Sequence, residues 1–320
     1  MRKKIFTWHI HGSYLYYLSL GNYEIYIPVN EKRDEGYYGR GLTFPFGPNV
    51  IEVPAEEVKT HHFDVVLYQT DRNYLVDQYD ILSPEQRKLP RIFLKHDPPI
   101  AHPVNARLVV VDPEVTVVHV THFNHLMWDN GNSSSYVISH GVSDMGHLWS
   151  GEIQKGIVVI NNLPTRGRLL GLDIFNKVRK KVPLDLVGLG AEPLGGYEVL
   201  HPQLPAFISK YRFFFNPIRY TSLGLAVCEA MMQGMPVVGM ATTEMSVALQ
   251  NGVNGFIHTN TDYLIEKMKF LLDRRAEAKR IGDAARLTAM QMFDISRFTG
   301  EWESLFSEVM QKSNVMEKNM

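Results

Sequence analysis

Short apolar runs recur along this chain, each followed by a stretch with helical spacing or by a Gly- or Pro-rich turn. That alternation is what most limits the fold. In the first half the runs are "KIFTWHI", "YEIYIPV", "FDVVLYQT", "RIFLKHD", "VTVVHV" and "SYVIS", with the helix-like "SYLYYLSL" after the first. In the second half they are "GIVVI", "LDLVGLG", "YRFFFNP" and "PVVGM", separated by "RLLGLDIFNKVRKK" and "LGLAVCEAMMQG". Continuous apolar runs suit parallel strands covered on both faces, whereas a strand with one wet face would alternate. Two successive blocks of strand and helix therefore predict an α/β protein with two doubly wound, Rossmann-like parallel sheets. The join is expected near "HGVSDMGHLWSGEIQKG", which gives domains 1–145 and 146–320, with the closing helices in the second. Ligands of open α/β sheets bind beyond the carboxyl ends of the strands, so the site is sought there.

The closing segments are amphipathic: Leu264, Met268 and Leu271 share one face, as do Phe298, Trp302, Leu305 and Val309. Composition excludes some functions. A formal charge of −1 over 320 residues does not build a whole surface for nucleic acid. The single cysteine, Cys228, rules out a disulfide framework within one chain and points to the cytosol. No apolar run reaches the ~20 residues that span a bilayer, so membrane contact is expected to be peripheral at most, at the inner face. No G-x-G-x-x-G follows the first strand, where "HIHGSYLYY" stands, and this discourages a nicotinamide-dependent dehydrogenase. His119, His122 and His125 recur at spacings of three without a carboxylate motif, so no metal site is expected.

The most informative stretch is "PIRYTSLGLAVCEAMMQGMPVV", residues 217–238. Leu223, Gly224 and Leu225 open a helix directly after a strand, and the free N–H groups of a helix N-terminus suit an anion. Glu229 follows ~9 Å further along the axis at 1.5 Å per residue. A diphosphate at the helix mouth would send its ribose towards that carboxylate, which accepts from two adjacent hydroxyls. The alternative on physical grounds is a helix capped by Thr221 or Ser222, with Glu229 pointing to solvent.

This stretch resembles the E-x7-E segment of the family-4 glycosyltransferases, retaining enzymes of the GT-B fold. Pro217, Gly224, Leu225, Glu229, Ala230, Met231, Gly234, Pro236, Val237 and Val238 all fall in register with that pattern. "DLVGLG", "QNGVNGFI", "SYVISHGVSD" and "RIFLKHDPP" resemble further segments of the family. The resemblance implies two Rossmann-like domains facing across a cleft, with no cofactor and no metal. The substrate it implies is a nucleotide-diphospho sugar, UDP favoured over GDP, whose sugar passes to a glycan, lipid-linked or small-molecule hydroxyl. It implies that Glu229 holds the ribose and residues 223–225 the diphosphate, with Arg166 and Arg168 on the same phosphates. His96 would reach the donor sugar near the reacting carbon, Thr221, Ser222 and Glu244 would border that sugar, and His11, Gly12 and Ser13 would line the acceptor side. The chain departs from the family at Thr221, where the first Glu of the pair belongs. A hydroxyl there loses a charged hydrogen bond and roughly tenfold in grip on the sugar. That departure motivates a contrasting expectation, a catalytically silent nucleotide-sugar-binding or scaffold protein. The irregular "YYGRGLTFPFG" has two readings: an ordinary surface loop, or a platform offering Tyr37, Tyr38, Phe44 and Phe46 for stacking on acceptor sugars, with Arg40 near an anionic group.

Overall fold

The computed structural model describes residues 2–318, with side chains to Ser313. The chain forms two compact units. One runs to Gly141 and takes back the chain from Ile295; the other is Val142–Asp294.

The first unit holds seven parallel strands: β1 (Lys3–Thr7), β2 (Tyr23–Val29), β3 (Val50–Pro54), β4 (Val65–Tyr68), β5 (Arg91–Lys95), β6 (Val115–His119) and β7 (Ser135–Val137). Their order is β3-β2-β1-β4-β5-β6-β7. The central strands are the continuous apolar runs of the sequence, and β4 and β6 are buried at every position. The strand the sequence reading omits is β3, a five-residue edge strand ending in proline. An edge position tolerates that proline because no neighbour needs its N–H. Phe6, Trp8, Tyr68 and Phe93 fill one face of the sheet, with Trp8 stacked on Tyr68 at 5.8 Å between ring centroids.

The second unit holds β8 (Ile153–Val159), β9 (Leu184–Val187), β10 (Tyr211–Asn216), β11 (Val237–Met240) and β12 (Gly255–His258), all parallel, in the order β12-β11-β10-β8-β9. All six side chains of β10 are buried. Between β8 and β9 the predicted helix is broken. A 3₁₀ turn over Gly167–Leu170 is separated from the helix Leu172–Val178 by Gly171 at φ 80°, where a Cβ would lie 2.0 Å from the carbonyl oxygen of Pro217. Only glycine fits both the backbone angle and that approach.

The domain expectation needs correction. The boundary lies at Gly141 instead of 145, and the long helix Ile295–Lys318 belongs to the first unit rather than the second. Its periodicity identifies an apolar face but cannot say which sheet that face covers. Phe298 packs edge-on against Tyr14 at 5.4 Å, and Phe306 against Tyr23 at 5.1 Å. Trp302 is fully buried and donates from Nε1 to the Tyr14 hydroxyl at 3.1 Å. Tyr14 and Tyr23 are buried aromatic partners that the first unit supplies for this face. Burial pushes the Tyr14 phenol well above its usual range, so it stays protonated.

Candidate functional site

The strand order of each sheet reverses once, between β1 and β4 in the first unit and between β8 and β10 in the second. Loops leaving the carboxyl ends of strands at such a point diverge and open a crevice. The residues singled out in the sequence follow the carboxyl ends of β1 and β5 in the first unit and of β8, β10 and β11 in the second.

In the second unit the loops after β8 and β10 are stitched together. Backbone N–H groups of Arg219 and Tyr220 donate to the Leu169 carbonyl at 3.2 and 3.3 Å. The loop after β11 closes on them from the other side: Thr242 donates to the carbonyl of Ile218, and Thr243, held at φ 49°, donates to that of Ser222 at 3.0 Å. The helix that follows is Leu225–Met232, with Gly224 as its N-cap and no side-chain hydrogen bond at the cap among the described residues. Capping by Thr221 or Ser222 is therefore set aside. A Cβ at Gly224 would meet no described atom within 4 Å, so the space beside its Cα is open. Leu223 and Ser222 are buried, and Thr221, Gly224 and Leu225 are half-buried.

Glu229 does not point to solvent. It is buried one turn into the helix, and His201 Nε2 lies 3.3 Å from its Oε1. Arg168 is exposed and bonds Asp173 at 2.7 Å, while Arg219 grips the same carboxylate with two nitrogens at 3.1 and 3.0 Å. Hydrogen bonding from Arg219 holds the Asp173 carboxyl below the usual carboxylate range. Arg166 is exposed at the end of its turn. Glu244 is buried and begins the helix Met245–Ala248, next to the threonine that contacts Ser222.

In the first unit, His11, Gly12 and Ser13 follow β1 and begin the helix Gly12–Leu18. His96 follows β5 and is buried. The His11 ring lies 3.9 Å from that of His96, and the Tyr14 ring meets His96 edge-on at 4.8 Å. Burial, reinforced by the neighbouring His11, His140 and Lys95, pushes the His96 imidazole well below its usual pKa, so it is neutral at pH 7. Gly12 is fixed by packing: a Cβ there would strike the Phe44 ring at 2.3 Å. Of the aromatic segment, Tyr37 and Phe46 are buried and Phe44 packs along Tyr16 at 6.1 Å. Arg40 donates from its side chain to the Phe46 carbonyl. These rings serve the fold, and Tyr38 is the exposed one. His119 and His125 are committed to Asn130 and Ser135 at 2.7 and 3.0 Å.

Two parallel-sheet α/β units of this kind make a GT-B fold. The family model described as "Glycosyl transferases group 1" matches residues 154–274, which include β8 to β12 and the helix mouth. No curated protein matches the chain. Among solved structures it is similar to sucrose-phosphate synthase from Thermosynechococcus elongatus (TM-score 0.72, 12% identity, 97% of this chain and 100% of that one). It is also similar to Anabaena HepE in complex with UDP (TM-score 0.67, 14% identity, 96% and 100%). A third similar structure is TarM (TM-score 0.56, 16% identity, 76% of this chain), of which this chain spans 54%. The chain thus has a GT-B fold, and its residues 154–274 are similar to the group 1 glycosyltransferase model.

Four residues at these sites escaped the sequence reading: Asp173, Arg219, His201 and Gln69. Arg219 sits inside the stretch 217–238, in "PIRYTS", where a cation between a strand end and a helix mouth is a usable signal. His201 and Gln69 stand in no recognisable spacing, and only the fold brings them to Glu229 and His96.

Proposed function

We propose that this protein moves a sugar from a nucleotide-diphospho sugar to a hydroxyl acceptor, with retention at the anomeric carbon and without a metal. The observation that carries this reading is the uncapped helix mouth at Gly224 with Glu229 buried one turn behind it. The diphosphate would lie on the first amides of that helix and the ribose hydroxyls on Glu229. The bond from the anomeric carbon to the phosphate oxygen breaks, and the acceptor oxygen joins the same face. The acceptor proton passes to the leaving phosphate. Arg168 and Arg219 would oppose the charge that grows on the diphosphate. His96 would contact the donor sugar, and Thr221, Ser222 and Glu244 would border it. His11 and Ser13 would line the acceptor side, with a glycan, a lipid-linked molecule or a small molecule as acceptor. Further support is that HepE was solved with UDP. Thr221 supports a second reading, a nucleotide-sugar binder without turnover.

A melting-temperature screen against UDP, GDP and their sugars, followed by donor-hydrolysis assays, tests the proposal. A ligand at 100 times its Kd adds ~2.7 kcal/mol. UDP and one of its sugars are expected to raise the melting temperature of the second unit, and that sugar should be hydrolysed slowly. Binding without hydrolysis or transfer would favour the silent binder, and no shift with any nucleotide would end both readings.

Asp173→Asn is expected to tighten UDP binding, because the carboxylate that now holds Arg168 and Arg219 competes with a diphosphate. The pair is partly exposed, so screening limits the gain to about 1 kcal/mol, roughly fivefold. Calorimetric titration of UDP checks it. Weaker binding would mean that Asp173 orients the guanidiniums instead of competing for them.

A further inference from the structure

The proton positions around His96 can be read from a chain of hydrogen bonds inside the first unit. Thr7 Oγ1 donates its proton to the Leu67 carbonyl at 2.8 Å, which leaves its lone pairs to accept. Gln69 Nε2 donates to that Thr7 oxygen at 3.0 Å and to the Trp8 carbonyl at 2.5 Å. A carbonyl only accepts, so the amide nitrogen must face Trp8. Turning the amide over would set two oxygens against each other at that distance. The Gln69 oxygen therefore faces His96, and Oε1 lies 3.2 Å from His96 Nε2. An amide oxygen cannot donate, so the imidazole nitrogen must carry the proton. The backbone of both residues is also tied: Gln69 N–H donates to Asn73 Oδ1 at 3.3 Å, and Asn124 Nδ2 donates to the His96 carbonyl at 2.9 Å. Gln69 is 4% exposed, so no water layer competes for its amide.

We propose that Gln69 is a positioning residue that fixes the proton of His96 on Nε2 and leaves Nδ1 as the accepting nitrogen. His96 then receives a hydrogen bond from a substrate hydroxyl instead of giving one. The second statement rests on the glycosyl-transfer reading above; the first does not. It has a chemical consequence: a neutral imidazole presenting a lone pair orients a sugar hydroxyl and repels a phosphate or carboxylate oxygen placed at the same point. The His11 and Tyr14 rings face the imidazole, the charges of His140 and Lys95 also reach it, and Lys95 is itself paired with Asp71 at 3.2 Å.

Long-range proton–nitrogen correlation spectra of the wild-type protein decide the first statement. The expected pattern is a protonated Nε2 and an unprotonated Nδ1 for His96 at pH 7. A protonated Nδ1, or an imidazolium at that pH, would overturn it. Gln69→Leu should give a mixture of the two tautomers and lower kcat about tenfold with the nucleotide KM unchanged, as loss of one hydrogen bond of alignment implies. Gln69→Glu, nearly the same shape, should favour the imidazolium. The acidic limb of its kcat profile should therefore move to higher pH, with activity recovering as pH rises, which the leucine variant should not do. If both variants leave the ring-nitrogen pattern and the pH profile at wild type, Gln69 does not set the tautomer. A protein without transferase activity would remove the substrate statement and leave the proton assignment to the spectra.

Discussion

Glu229→Ala is expected to raise the Kd for UDP and lower kcat/KM for its sugar by a similar factor. A carboxylate taking both ribose hydroxyls makes two charge-assisted hydrogen bonds. With partial solvation of the bound ribose these amount to about 3–4 kcal/mol, roughly 100- to 1,000-fold. Glu229→Gln keeps one good acceptor oxygen and should cost only about tenfold. The ordering of the two variants separates ribose recognition from a general loss of shape, since both change the contact with His201 Nε2. On the proposed reading the ribose would be held alike in ground and transition states, so the loss should fall mainly on KM rather than kcat. Equal UDP affinity in the wild type and the alanine variant would place the ribose elsewhere, and melting curves without ligand show whether either variant is simply unfolded.

The second large effect concerns stability. Trp302→Ala removes a fully buried indole that packs on Phe306 at 5.2 Å and donates to Tyr14. Deleting a ring of this size from a packed core costs about 3–5 kcal/mol, and here it also strips a buried phenol of a donor. The loss should fall on one unit only. Amide exchange is expected to accelerate in β1, β2 and the helix Gly12–Leu18, while β10 and β11 keep their protection. Exchange that speeds up first in β10 and β11 would show that the helix Ile295–Lys318 stabilises the second unit, contrary to its contacts with Tyr14 and Tyr23. A conservative Trp302→Phe should restore most of the protection but not the bond to the Tyr14 hydroxyl.

Much of this architecture is legible in the sequence because burial on both faces writes itself as uninterrupted apolar runs. The runs in β1, β2, β4 to β6 and β8 to β11 are plain for that reason, and β3 is not, being short, at an edge and ended by Pro54. The helix mouth and Glu229 could be read because a fixed spacing ties strand, turn and helix within a few residues. The unread parts are long-range. Asp173 and Arg219 are 46 positions apart, His201 and Glu229 are 28 apart, and Gln69 and His96 are 27 apart. Nothing local in the chain announces such pairs. Composition misleads as well: the aromatic segment looks like a sugar platform, yet Tyr37 and Phe46 are spent on the core.

The return of the chain at Ile295 bears on the order in which the protein takes shape during synthesis. Residues Val142–Asp294 form a compact unit of their own, and its two ends lie side by side, Val142 N–H donating to the Phe293 carbonyl at 3.0 Å. That middle portion can finish folding as it leaves the ribosome. The portion made before it has all seven of its strands but lacks the helix that brings Phe298, Trp302 and Phe306 to Tyr14 and Tyr23. It must wait, with part of an aromatic face uncovered, until roughly 150 further residues have been added, about eight to thirty seconds at ordinary elongation rates. Translation here completes the middle of the protein before its beginning, and the interval of exposure is when a chaperone would have most to hold.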